Sequence, residues 1–226
     1  IMTALLTIEN LPDLNETITV PEDIFEELTA QDASVAGFNP YEQPTVRDLL
    51  YGVLLPSGAD ACETLARAVG GSEEGFVAMM NQKAEELGLT NTHFENCTGL
   101  HNDNHYSTCR DIAVLMSECL KSDTFREIVT REVYTTEATA SHPEGITLYD
   151  TMLHRFTSYE MSTTLENGAV IEGGKTGFTD EAGQCLVSFA EYGGEEYILV
   201  TAEAMTDSGS AVDSIADAST VYGRLQ

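Results

Sequence analysis

The stretch IEGGKTGFTDEAGQCLVSFA, residues 171–190, carries Lys175, one of three lysines in a 226-residue chain whose formal net charge is −28. Lys175 stands between a glycine pair and Thr176-Gly177, just ahead of a run that reads as a strand hairpin. On a strand bordering a cleft, a lysine supplies positive potential and a threonine hydroxyl holds a carboxylate, while a glycine lets a substrate backbone come close. That set suits acyl transfer on a short peptide ending in a free carboxylate. Lys-Thr-Gly alone equally fits a solvated lysine before a turn, so a second element has to converge on it. Ser57, in LLPSGADACETLA, is the candidate. Pro56-Ser57-Gly58 breaks one helix and precedes another, which exposes a hydroxyl, although a helix-capping serine fits the same tripeptide. If both readings hold, Ser57 and Lys175 face one cleft.

The elements that must position them follow from periodicity and caps. IMTALLTIE has the apolar spacing of a helix, whereas residues 10–44, with Pro12, Pro21, Pro40, Pro44 and many acids, predict short strands and loops. Thr45 caps a helix through VRDLLYGVLL, and DACETLARAV forms the next, ending at Gly70-Gly71. Ser72 caps EEGFVAMMNQKAEELG, which carries Phe76, Met79, Met80 and Leu87 on one face. Ser107 is predicted to cap TCRDIAVLMSECLK and Ser122 to cap DTFREIVT. From Glu132 the pattern changes: EVYTTEA alternates, and QCLVSFAEYGGEEYILVTAEA reads as two strands joined at Gly193-Gly194. SGSAVDSIADASTVYGRL returns to helical spacing through Val212, Ile215, Val221, Tyr222 and Leu225. The whole predicts an α+β domain over 1–226, an antiparallel sheet flanked by helices, with a helical cluster at roughly 45–130 inserted.

Composition removes several classes. So acidic a chain repels a phosphate backbone and an anionic membrane surface, so neither nucleic acid nor direct membrane docking is expected. No apolar run approaches the roughly 18 residues of a membrane span, and no export signal is visible. The chain opens on Ile1, which reads as a processed product or a fragment. Cys62, Cys97, Cys109, Cys119 and Cys185 lack any Cys-x-x-Cys spacing and read as buried small hydrophobes. HNDNHY offers His101, Asp103 and His105 at a zinc-like spacing, but Gly99, Asn102 and Asn104 make a polar surface loop the better reading. No metal and no cofactor is expected.

Five stretches in order, IMTALLTIE, LLYGVLLPSGADAC, LGLTNTHFENCTGLHNDNHYSTCRDIAVL, GGKTGFTDEAGQCLVSFA and DASTVYGRL, give the chain an end-to-end resemblance. It resembles the D-alanyl-D-alanine carboxypeptidases among the low-molecular-weight penicillin-binding proteins, serine peptidase family S11. The resemblance implies a serine β-lactamase/transpeptidase-like fold and a catalytic serine in a Ser-x-x-Lys motif, with that lysine as base. Ser57 would relay protons toward the leaving amine, and Lys175 would hold that network and attract the terminal carboxylate with Thr176. Gly177 would admit the peptide backbone, and an amide near Phe178 would complete an oxyanion hole. The implied partners are peptidoglycan stem peptides ending in D-Ala-D-Ala, with β-lactams as inhibitors. The implied location is extracytoplasmic, in the bacterial cell envelope, with any membrane attachment through segments outside these residues.

Two departures stand out. The family places Ser-x-x-Lys immediately before IMTALL, and the 226 residues contain no such motif; the first strands of the sheet are expected to be missing with it, as is a C-terminal β-rich domain. The second motif, normally Ser-x-Asn, reads Ser57-Gly58-Ala59, a methyl in place of an amide. A class A β-lactamase would need Glu-x-x-Leu-Asn, which EELGLTNTHFENCTGL does not contain. The sequence also admits a zinc peptidase built on His101 and His105, or a non-catalytic penicillin-binding-like module for binding or scaffolding.

Overall fold

The computed structural model describes residues 1–204 and 212–226, so residues 208–211 of the helix predicted at the end of the chain lie outside them. The N-terminal part is helical: α1 (Met2–Asn10), α2 (Ile24–Ala30), α3 (Val46–Leu54), α4 (Ala59–Gly70), α5 (Glu73–Glu86), α6 (Cys109–Cys119) and α7 (Asp123–Val129). A ribbon of β1 (Val133–Thr135) and β2 (Thr147–Tyr149) follows, then α8 (Leu153–Ser158). The sheet is formed by β3 (Val170–Thr179), β4 (Gly183–Tyr192) and β5 (Glu195–Ala204), antiparallel in that order, and α9 (Asp213–Tyr222) packs on it.

Side-chain caps set the starts of α3, α5, α6 and α7. The Thr45 hydroxyl accepts from the Asp48 amide while the Asp48 carboxylate takes the Thr45 amide, a reciprocal capping box at α3. Ser72 and Ser122 cap α5 and α7 as predicted. The cap of α6 is Thr108 rather than Ser107: the Thr108 hydroxyl accepts from the Asp111 amide at 3.1 Å, and the Ser107 hydroxyl pairs with Thr92 at 2.8 Å. In the proline-rich segment, where only strands and loops were expected, α2 forms because Ile24 and Leu28, four apart, are both buried and no proline falls between them. The alternating EVYTTEA contributes only Val133–Thr135 to a strand.

Two cores result. Leu49, Leu50, Leu54, Leu65, Phe76, Leu115 and Phe125 join the helices to Phe189 of β4. A smaller core buries Ile215, Ala218 and Tyr222 of α9 against Met152, Phe156, Ile171, Leu186 and Ala190. On α5 Phe76 and Met80 are buried as expected, while Met79 and Leu87 are half-buried; on α9 Val221 is exposed. Three cysteines, Cys62, Cys97 and Cys119, are buried, whereas Cys109 is exposed and Cys185 half-exposed. No helix among the described residues is long and apolar enough to cross a membrane.

Candidate active site

The break between α3 and α4 is built around Ser57. Its φ of 63° is left-handed, a conformation costly to a non-glycine residue. The turn is held by the Gly58 amide on the Gly52 carbonyl at 2.8 Å and the Ala59 amide on the Ser34 carbonyl at 2.8 Å. Gly58 has to be glycine: a Cβ there would stand 2.6 Å from the Ala36 Cβ and 2.7 Å from its amide nitrogen. Asp60, wholly buried at the start of α4, explains that close approach. Its carboxylate accepts from the amides of Ala36, Gly37 and Phe38 at 2.7, 3.0 and 3.0 Å, lashing residues 36–38 to the turn that carries Ser57.

Lys175 comes from the middle of β3, paired with Val187 of β4, and Thr176 is paired with Leu186. Its ammonium donates to the Ser57 hydroxyl and to the Thr176 carbonyl, the latter at 3.1 Å. The structure therefore brings Ser57, Lys175 and Thr176 together. Gly177 and Phe178 continue β3 outward to an exposed rim, Phe178 being 64% exposed. Ala59, two residues beyond Ser57, is buried at the first turn of α4.

Two residues that carried no motif signal complete the arrangement. The Thr151 hydroxyl shares a 2.5 Å hydrogen bond with that of Thr176, and the Thr151 amide donates to the Leu55 carbonyl at 3.2 Å. Thr151 thus ties the β3 side of the site to the chain entering Ser57. Its neighbour Asp150 is 1% exposed; Oδ1 accepts from the amides of Met152 and Leu153 at 2.9 and 2.6 Å, and Oδ2 has no hydrogen-bond partner among the described residues.

Charges here are displaced from their ordinary values. Burial pulls the Lys175 ammonium down to about 8, against the opposing pull of the Asp150 carboxylate. Burial pushes Asp150 up to about 6, opposed by the Leu153 amide and by Lys175. Burial likewise pushes the Cys62 thiol up to about 12. Ile1, the residue ahead of α1, lies within electrostatic reach of Lys175, so α1 begins at this site. At neutral pH Lys175 is mostly an ammonium, able to attract an anion and to hold the Ser57 oxygen by donation. The serine proton is then free to point elsewhere.

The two histidines of the 101–105 loop make separate contacts. His101 lies 3.3 Å from Asp103 and 3.7 Å from Glu181 of the β3–β4 turn, while His105 meets the Phe94 ring edge-on. An open groove of about 880 Å³ lies at the start of β3, lined by Arg126, Glu132, Phe156 and Glu172 among others, and excludes Ser57, Lys175 and Thr176.

Comparison with known proteins identifies the family of the chain. Residues 1–206 match the family described as D-alanyl-D-alanine carboxypeptidase, peptidase S11. D-alanyl-D-alanine carboxypeptidase DacF of Bacillus subtilis is 34% identical over 207 residues, covering 91% of this chain and 50% of the relative. A D-alanyl-D-alanine carboxypeptidase of Streptomyces sp. is 36% identical over 206 residues, covering 88% of this chain and 68% of the relative. The chain thus spans half the length of the first relative and about two-thirds of the second. Among solved structures, the Streptomyces K15 DD-transpeptidase matches with a TM-score of 0.81 at 31% identity, covering 98% of this chain and 84% of that one. A D-alanyl-D-alanine carboxypeptidase of Mycobacterium tuberculosis matches with a TM-score of 0.77 at 27% identity, covering 98% and 78%. The fold is therefore the α+β fold of these DD-peptidases, and the chain belongs to the D-alanyl-D-alanine carboxypeptidase family, peptidase S11.

Proposed function

We propose that residues 1–226 carry the Ser57 and Lys175 side of a serine-type D-Ala-D-Ala carboxypeptidase domain, which removes the terminal D-alanine from peptidoglycan stem peptides in the cell envelope. The observation that carries this reading is the direct bond from Lys175 to Ser57 across the break between α3 and α4. In it, Lys175 and the Thr176 hydroxyl receive the terminal carboxylate. Gly177 admits the peptide backbone and an amide near Phe178 polarises the scissile carbonyl. A serine oxygen attacks that carbonyl carbon, and the C–N bond to the terminal D-alanine breaks. Its nitrogen takes a proton passed through Ser57, and water then releases the acyl group.

The nucleophile is not Ser57. Lys175 donates to its oxygen rather than taking its proton, and no other lysine, histidine or carboxylate among the described residues accepts from it. The 226 residues contain no Ser-x-x-Lys. Because Ile1 begins α1 within reach of Lys175, a Ser-x-x-Lys joined ahead of Ile1 would enter the site.

Intact-protein mass spectrometry after incubation with a β-lactam tests the reading. The 226-residue chain is expected to form no adduct, and the chain extended by Ser-x-x-Lys ahead of Ile1 to gain one acyl group. A stoichiometric adduct on the 226-residue chain would refute the assignment of Ser57 as relay. Absence of an adduct on the extended chain would favour the second reading, a non-catalytic binding module, for which Ala59 in place of the amide is the supporting feature.

A further inference from the structure

Glu63 on α4, Glu73 in the first turn of α5 and Cys97 in the loop before α6 converge from three separate segments. One carboxylate oxygen from each glutamate and the Cys97 sulfur all lie within 4.8 Å of one another. Glu63 and Cys97 are 8% and 3% exposed, and Glu73 is half-buried. The thiol is aimed at the carboxylate: Cys97 Sγ lies 3.4 Å from Glu63 Oε1. The backbone at Cys97 is pinned on both sides, its amide donating to Glu73 at 3.1 Å and its carbonyl accepting from the Thr3 hydroxyl at 2.6 Å.

We propose that Glu63, Glu73 and Cys97 form a structural Zn(II) site. A tetrahedral zinc, with bonds of about 2.3 Å to sulfur and 2.0–2.2 Å to oxygen, wants ligand atoms roughly 3.5 Å apart. The Cys97–Glu63 pair already stands at that spacing. Two carboxylates facing a thiol in a buried place carry a strong desolvation penalty that a shared proton or a joining cation relieves. The cation present, Arg67, stands 3.7 Å from the outer oxygen of Glu63 and gives its 2.7 Å bond to Asp23 instead. Zinc bound to one thiolate and two carboxylates leaves a net charge of −1, less than the two carboxylates carry without it. As the Zn–S bond forms, the thiol proton leaves to solvent. The mixed sulfur and oxygen set favours zinc over copper(I), which prefers sulfur alone, and over calcium or magnesium, which prefer oxygen. With solvent in the fourth position, the site would clip α4, α5 and the Cys97 loop together. It neither uses nor depends on the Ser57–Lys175 site.

The test uses the chain with Cys109→Ser and Cys185→Ser, so that no less-buried thiol competes. After metal stripping, loading with Zn(II) and dialysis, elemental analysis is expected to find one zinc per chain. Co(II) loading is expected to give a thiolate-to-cobalt charge-transfer band. Cys97→Ser and Glu63→Gln should each weaken zinc binding by more than about tenfold, whereas His101→Ala with His105→Ala should leave it unchanged. A chain that retains no zinc, or whose Co(II) spectrum lacks the thiolate band, would overturn the proposal without recourse to any ligand variant. Loss of zinc in the histidine variant would overturn it equally.

Discussion

The Lys175 ammonium donates to the Ser57 hydroxyl although 118 residues separate the two. Each arrives by a different device: Lys175 by strand register on β3, Ser57 by a left-handed turn that Asp60 and Gly58 lock from behind. Thr151 joins the two sides through Leu55 and Thr176. A serine held at positive φ stores backbone strain at the site where a hydroxyl has to meet a lysine, a common relation between strain and function.

That strain can be separated from the hydrogen bond by two substitutions. Ser57→Ala and Ser57→Gly both remove the Lys175 partner, but only glycine relieves the left-handed backbone. The glycine variant is expected to be more stable than the alanine variant by about 1 kcal/mol. Urea denaturation of the pair measures it. Equal stabilities would mean that the turn is not strained by a Cβ.

Much of the scaffold was legible because its signals are local. Thr45, Ser72 and Ser122 announce helices through hydroxyls that reach amides three residues on, and Gly193-Gly194 announces the β4–β5 turn. Lys175, Thr176 and Ser57 were visible for the same reason, as short motifs with a chemistry. What stayed hidden depends on distant contacts. Nothing around Thr151 or Asp150 marks them as neighbours of Lys175, and Glu63, Glu73 and Cys97 meet only because α4, α5 and a loop pack together. The short α2 and α8 are helices of seven and six residues, held by a few buried side chains rather than by a long period.

The lowered value at Lys175 sets the pH range of anion binding. The ammonium that attracts a terminal carboxylate is lost as pH rises through about 8. The affinity of an N-acylated D-Ala-D-Ala peptide is therefore expected to fall more than about tenfold between pH 7 and 9.5. Lys175→Arg should remove that dependence, because a guanidinium stays charged throughout. Calorimetric titration at the two pH values checks both, and equal affinities for the lysine protein would show that Lys175 does not hold the carboxylate.

Asp150 makes stability, rather than affinity, fall as pH rises. Its folded value of about 6 lies above the ordinary 3.8, so between these values the folded state binds more protons than the unfolded state. Stability from this group is therefore present at low pH and lost as pH rises to about 6, a change of about 3 kcal/mol. Asp150→Asn keeps an oxygen for the Met152 and Leu153 amides while removing the charge. The difference in unfolding free energy between variant and parent should shift in favour of the variant by about 2.4 kcal/mol from pH 4 to 7. Denaturation series across that range measure it; a difference independent of pH would show that the buried carboxylate does not titrate as stated.

Asp60 determines whether the turn at Ser57 exists at all. Its Oδ1 takes the Ala36 amide and its own neighbour Ala61, and its Oδ2 takes the Gly37 and Phe38 amides. Asp60→Ala leaves buried N–H groups without an acceptor. At about 1–3 kcal/mol for each unsatisfied group, part of it recovered as the loop opens to water, the loss is expected to be about 3–5 kcal/mol. Asp60→Asn is the sharper probe. Its carbonyl can still serve Ala36 and Ala61, but its amide would face two donors at Gly37 and Phe38, so asparagine should cost nearly as much as alanine. With residues 36–38 released, the Ser34 carbonyl would no longer be held against the Ala59 amide, and hydrogen exchange at Ala59 should accelerate with the destabilisation. An asparagine variant as stable as the parent, with unchanged exchange at Ala59, would show that the carboxylate is not what closes the turn.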